Sequence, residues 1–214
     1  AVNTLNVGLG IDDLVLDVRY NGGGFLAIAS QLAYMIAGPV PTAGLRFELT
    51  EFNDKHQATD PVTGLPIQST PFYDTTLGPP FNGGNAGKAL PTLNLSRVYV
   101  ITGPGTCSAS EAIINGLRGV NVEVILIGST TCGKPYGFYA TDNCGTTYFT
   151  IQFRGINAKN FGDYTDGFSP ANTKTGAGMK VPGCSVADDF SKLLGDPNET
   201  RLSVALAHQS GQGC

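Results

Sequence analysis

The chain has no tryptophan, two histidines and two methionines, and Asp, Glu, Lys and Arg together make up 14% of its 214 residues, against about 25% in an ordinary soluble protein. The 13 basic and 17 acidic residues leave a net charge of −4 with no Lys/Arg cluster anywhere. That excludes the electrostatic footprint of a nucleic-acid binder and a basic membrane-surface patch. No apolar run approaches the ~18 residues a membrane-spanning helix needs. The five cysteines, Cys107, Cys132, Cys144, Cys184 and Cys214, never stand two to four residues apart, which removes the usual zinc pairings. Disulfides are expected from a composition suited to an oxidising compartment, and the odd count leaves a thiol over or bridged outside the chain. Their pairing stays open.

What the chain does have is glycine and proline, 29 and 13 residues, beside 41% hydrophobic residues in runs. Many turns around a buried core follow. Asp13 to Asp17 reads as a strand, Asn21-Gly22-Gly23-Gly24 as a turn, and Phe25 to Ala37 as a helix. Gly44 to Phe52 alternates as a strand. Residues 53–94 are polar, dotted with Pro and Gly and weakly periodic, and read as a long loop insertion or lid. A second unit repeats the order: strand Arg97 to Thr102, turn Gly103-Pro104-Gly105, helix Ser108 to Leu117, strand Val122 to Ile127. Lys134 to Ala140 and Thr146 to Phe153 then read as a β-hairpin around Asp142 to Gly145. Beyond Gly155 the chain is loop-rich until a closing helix over Glu199 to His208, capped near Asp196. The order of strands and helices predicts an α/β domain with a mainly parallel sheet.

Ser108 falls at a strand-to-helix turn, where free backbone N–H groups gather and an oxyanion is stabilised. Ser108-x-x-Glu111 reads equally as a capping box. A nucleophilic serine needs a base. His56, in the presumed insertion, and His208, in the last helix, read as surface or packing residues. Lys134 lies 26 residues beyond Ser108, at the end of the strand returning from the serine's helix, and from Ile125 to Ala140 it is the only charged residue. Such surroundings desolvate the amine and favour its neutral form; an ordinary strand-end lysine is the plainer reading. Gly22-Gly23-Gly24 is a weak anion-cradle signal, since neither G-x-G-x-x-G nor GK[ST] is present. Cys107, at a helix start beside Ser108, is expected to be structural, buried or bridged.

Four blocks, Asp17-Val18-Arg19-Tyr20-Asn21-Gly22-Gly23-Gly24, Arg97 to Thr102, Thr106-Cys107-Ser108-Ala109-Ser110-Glu111 and Ile127 to Lys134, resemble in order the signatures of the S41 peptidases. These are the tail-specific or C-terminal processing proteases, with a ClpP/crotonase-like fold. Phe161 to Phe168 and Asp196 to Ala207 are similar to the tail of that domain in bacterial envelope members. The resemblance implies a Ser/Lys dyad working without metal or organic cofactor: Ser108 as nucleophile, Lys134 as general base, Gly23 or Gly24 with Ala109 as oxyanion donors, and Glu111 and Thr131 as supporting residues. The substrate would be a protein or peptide, and the setting the bacterial periplasm, cell envelope or medium.

Two departures qualify the resemblance. Where some members carry a third polar residue this chain has Gly119 and Phe138, so Thr131 or another group must orient Lys134. The chain also begins partway into the family domain and has no PDZ-like region, so residues 1–214 are expected to be an N-terminally incomplete catalytic domain. A catalytically inactive ligand- or peptide-binding module on the same fold is the alternative; acyl-CoA chemistry lacks the basic patch that nucleotide phosphates require.

Overall fold

The computed structural model describes residues 1–6, 10–79, 86–176 and 178–214. Among these the helices are α1 (Val2–Leu5), α2 (Leu26–Ala37), α3 (Pro39–Thr42), α4 (Ala109–Gly119) and α5 (Thr200–Gln209). The strands are β1 (Val15–Asp17), β2 (Arg46–Glu51), β3 (Ser69–Pro71), β4 (Arg97–Thr102), β5 (Glu123–Gly128), β6 (Tyr136–Gly137), β7 (Thr141–Asn143), β8 (Thr146–Tyr148), β9 (Phe153–Ile156), β10 (Phe168–Pro170), β11 (Met179–Val181) and β12 (Gly183–Ser185).

The central sheet runs β1-β4-β5-β12 and every pairing in it is parallel. β4 and β5 are almost continuously apolar because both faces of a parallel sheet are covered. Their side chains alternate: Val98, Val100, Val124 and Leu126 join the core that includes buried residues of α2 and α4, while Tyr99, Ile101, Ile125 and Ile127 join Ala205 of α5 in a second cluster. The expected α/β class with a mainly parallel sheet is therefore present. Its fourth strand, β12, lies in the stretch read from sequence as loop, since three residues of Gly-Cys-Ser carry no periodic signal.

A second sheet, β3-β2-β9-β6, is antiparallel. Phe47 of β2 is buried in the main core, against Gly116 of α4, where any larger side chain would meet the ring. Part of the 53–94 stretch is tied down: β3 pairs with β2, the Ser30 hydroxyl of α2 donates to Pro71 O at 2.6 Å, and Gln31 donates to Thr75 O at 2.7 Å. The expected hairpin forms as β7 and β8 around Cys144-Gly145, while β6 and β9 pair beneath it. α5 is capped by Glu199 rather than Asp196: the Glu199 carboxylate accepts Arg201 N–H and Leu202 N–H. No helix among the described residues is long and apolar enough to cross a membrane.

Candidate active site

β1 and β4 are adjacent and parallel, so the turns that follow them emerge at the same sheet edge, where ligands gather in open α/β sheets. Gly23 follows β1 and Ser108 follows β4. The two turns touch: a Cβ placed on Gly23 would lie 2.7 Å from Ser108 Cβ and 3.1 Å from Ala109 N, and Gly23 has φ +108°. Only glycine fits both the backbone angle and the space. Asn21 stitches the turns together. Its carbonyl accepts Cys107 N–H at 3.1 Å, and its side-chain oxygen accepts Gly23 N–H and the Ser110 hydroxyl, each at 2.9 Å. Gly23 N–H is thus engaged, whereas Gly24 N–H and Ala109 N–H have no acceptor among the described residues.

Ser108 is half-buried and has φ 57° and ψ −119°. An ordinary N-cap serine sits in the extended region; a positive φ on a serine costs on the order of 1–3 kcal/mol and is characteristic of functional turns. The glutamate half of the capping box is present, with Ser108 N–H donating to Glu111 Oε2 at 3.0 Å.

That carboxylate does more than cap. Glu111 is fully buried and also accepts the Thr131 hydroxyl at 2.5 Å, Gly133 N–H at 2.8 Å and Lys134 N–H at 2.8 Å. One carboxylate from α4 therefore holds the backbone of both the serine turn and the lysine segment. Thr131 in turn accepts Phe168 N–H at 2.8 Å, which anchors the site to β10. A second clamp is covalent: a disulfide joins Cys107, immediately before Ser108, to Cys132, two residues before Lys134. Cys107 is bridged, as expected, and Cys184–Cys214 forms the other disulfide, leaving Cys144 free and exposed.

Ser108, Ala109, Gly24 and Lys134 line one cavity of about 390 Å³. The Lys134 ammonium nitrogen lies over the Phe138 ring, 5.2 Å from its centroid, and makes no hydrogen bond to Ser108. Phe138 is thus the group against which the end of the lysine rests. A larger cleft, about 670 Å³ beside Tyr34 and Arg46, brings no serine together with a lysine or histidine. Neither His56 nor His208 lines the Ser108 cavity; His208 packs edge-on against Tyr99 at 5.8 Å, in the cluster beneath α5. Among the described residues no group of three His, Cys, Asp or Glu is placed to hold a metal ion.

Sequence reasoning missed a buried ion cluster beneath the glycine loop. Arg19, 2% exposed, donates to both oxygens of Glu199, at 2.9 and 3.0 Å, and pairs with Asp17 and Asp188. Hydrogen bonds from Arg19 are the main cause holding the Glu199 carboxyl below its usual range. The only local hint was an arginine inside an otherwise weakly charged motif.

Fold and site together define an α/β domain that presents a strained serine and a lysine at one edge of a parallel sheet. The chain belongs to peptidase family S41, whose model matches residues 1–137. It is similar to a crystal structure from Bacteroides fragilis NCTC 9343 described as an S41 protease, with 27% identity and a TM-score of 0.68, over 94% of this chain and 45% of that one. It also matches the photosystem II D1 C-terminal processing protease at 20% identity and a TM-score of 0.47, over 81% of this chain and 36% of that one. The chain thus spans under half the length of either structure. No curated protein is similar at a significant level.

Proposed function

We propose that residues 1–214 are the catalytic domain of a serine endopeptidase, with residues 53–94 as an insertion, and that Ser108 and Lys134 form its dyad. The observation that carries this reading is the shared Glu111 carboxylate, which holds Ser108 and Lys134 at the rim of one cavity. Ser108 Oγ attacks the peptide carbonyl carbon while neutral Lys134 takes the hydroxyl proton. As the C–N bond breaks, that proton passes to the leaving amine and an acyl-enzyme remains. Water then attacks the ester, its proton goes to Lys134, and the serine is regenerated. Ala109 N–H and the N–H of Gly24, with Gly23 shaping the loop, face the developing oxyanion. In this reaction the lysine leaves Phe138 for Ser108 Oγ when substrate arrives, since catalytic hydrogen bonds tighten on substrate binding. Glu111 and Thr131 act through the backbone they hold.

Two disulfides support an oxidising setting, the periplasm, cell envelope or medium. Protein or peptide tails are the proposed substrates, with any further recognition region outside these residues. The deciding experiment is labelling with a fluorophosphonate probe alongside turnover of an unstructured protein. Ser108→Ala abolishes both. Lys134→Arg abolishes turnover because a guanidinium stays protonated and accepts no proton. A chelator leaves turnover unchanged. A folded Lys134→Arg protein that still cleaves refutes the dyad, and a folded wild type that neither labels nor cleaves supports a binding module instead.

A further inference from the structure

Glu48 lines the same cavity as Ser108 and Lys134. It sits on β2, is 6% exposed, and makes no hydrogen bond or ion pair among the described residues. Its carboxyl lies flat on the backbone of Gly155 in the neighbouring strand β9, where a Cβ would come within 2.1 Å of its Cδ. The missing side chain at Gly155 is the space the carboxyl occupies. The cavity that Glu48 and Ser108 share is lined mainly by apolar and aromatic groups, among them Leu26, Ala112, Phe153 and the buried Tyr164. A carboxylate without a partner in such surroundings is costly; it either keeps its proton or takes a cationic, hydrogen-bonding partner.

Resting on the serine-peptidase reading, we infer that Glu48 is the specificity-determining end of the side-chain pocket beside Ser108, and that it selects a lysine or arginine at the cleaved position. The long methylene stem of such a residue matches the apolar walls, and its cationic head supplies the hydrogen-bonded partner that Glu48 lacks. A glutamate side chain would bring a second acid against the first. Burial pushes the Glu48 carboxyl up to about 7, and a cation beside it would favour the ionised form. The other titratable groups lining the cavity are Lys134, Tyr136 and Tyr164. Lys134 is turned to Phe138, and Tyr164 is held far toward its neutral phenol, by burial first and by the charges of Glu48 and Glu111 second, so neither neutralises Glu48.

The test uses the whole chain and three peptides identical except for lysine, norleucine or glutamate at the cleaved residue. Wild type cleaves the lysine peptide with a kcat/KM about tenfold or more above the norleucine peptide, and the glutamate peptide most poorly. In Glu48→Gln the lysine-to-norleucine ratio falls at least tenfold, and in Glu48→Leu it inverts. A binding arm needs no catalysis: on a Ser108→Ala background, calorimetry shows cleavage products ending in lysine binding more tightly than those ending in norleucine, and Glu48→Gln removes the difference. Binding selectivity without any cleavage or probe labelling in wild type would refute the peptidase while keeping the carboxyl-ended pocket. Equal treatment of lysine and norleucine by wild type overturns the inference even if no Glu48 variant folds, and so does a preference that survives Glu48→Gln.

Discussion

Cys107 and Cys132 are joined by a disulfide that brackets the candidate dyad, one residue before Ser108 and two before Lys134. The bridge and the Glu111 carboxylate perform the same task by different means: each ties the turn that carries the serine to the segment that carries the lysine.

Reduction of that bridge is expected to cost stability and rate together. The 25-residue separation corresponds to about 3.5 kcal/mol of denatured-state chain entropy. Cys107→Ser with Cys132→Ser should lose roughly that amount in urea unfolding at constant Cys184–Cys214, and turnover should fall more than KM rises. Unchanged kcat in the folded double variant would show that Glu111 alone positions the pair.

Glu111→Gln preserves size but places an NH₂ group among four donors. At least one of Ser108 N–H, Gly133 N–H, Lys134 N–H and the Thr131 hydroxyl then loses its acceptor, at on the order of 1–3 kcal/mol per buried orphan. Misplacement of the reacting groups should lower kcat about 100-fold. Thr131→Val should be milder for kcat, because the carboxylate keeps its three backbone donors, although Phe168 N–H loses its acceptor. Steady-state kinetics with a thermal melt separates a positioning effect from unfolding.

Arg19→Ala should destabilise the domain by about 3–5 kcal/mol, because it strands the Glu199 carboxylate without its counter-charge in the interior. Arg19→Lys should rescue only part of this, since an ammonium cannot span both Glu199 oxygens. Chemical unfolding at neutral pH measures both; equal stability of wild type and Arg19→Ala would remove the cluster from the account of what holds the glycine loop.

Glu48 and Glu199 should leave opposite marks on the pH dependence of stability. Burial raises the Glu48 carboxyl from 4.5 to about 7, so the folded state binds the proton more tightly than the unfolded chain. Its contribution is complete below pH 4.5 and is lost as pH rises to about 7, on the order of 3 kcal/mol in all. The Glu199 carboxyl is held low, so its contribution is complete above about 4.5 and disappears as pH falls through its folded value. In urea unfolding between pH 5 and 8, Glu48→Gln should therefore gain stability relative to wild type as pH rises. A difference between the two proteins that does not change across that range would refute the assignment.

Strand, glycine turn and helix are all spelled in local spacing, which is why the two β-turn-α units and the order of the motifs were legible in the amino-acid sequence; Ser108 and Lys134 stood out as candidates only through the resemblance of their motifs to the S41 signatures, since by spacing alone the serine reads as a helix cap and the lysine as a strand end. Alternation along Arg97 to Thr102 and Val122 to Ile127 even encodes the two faces of the sheet, because side chains in a strand point in turn to opposite sides. What local spacing does not encode is which distant groups packing brings together. Arg19 meets Glu199 across 180 residues, the short β12 becomes a sheet strand only because β5 offers it an edge, and five cysteines resolve into two pairs and a free thiol only once the turns are placed. Glu48 stands in an alternating strand like any other residue; only the packing of β2 against β9 and the serine's helix brings its carboxyl to the cavity. The sequence determined the chemical parts and their order, and the tertiary structure decided their partners, because burial and hydrogen-bond satisfaction are properties of the packed chain rather than of any segment.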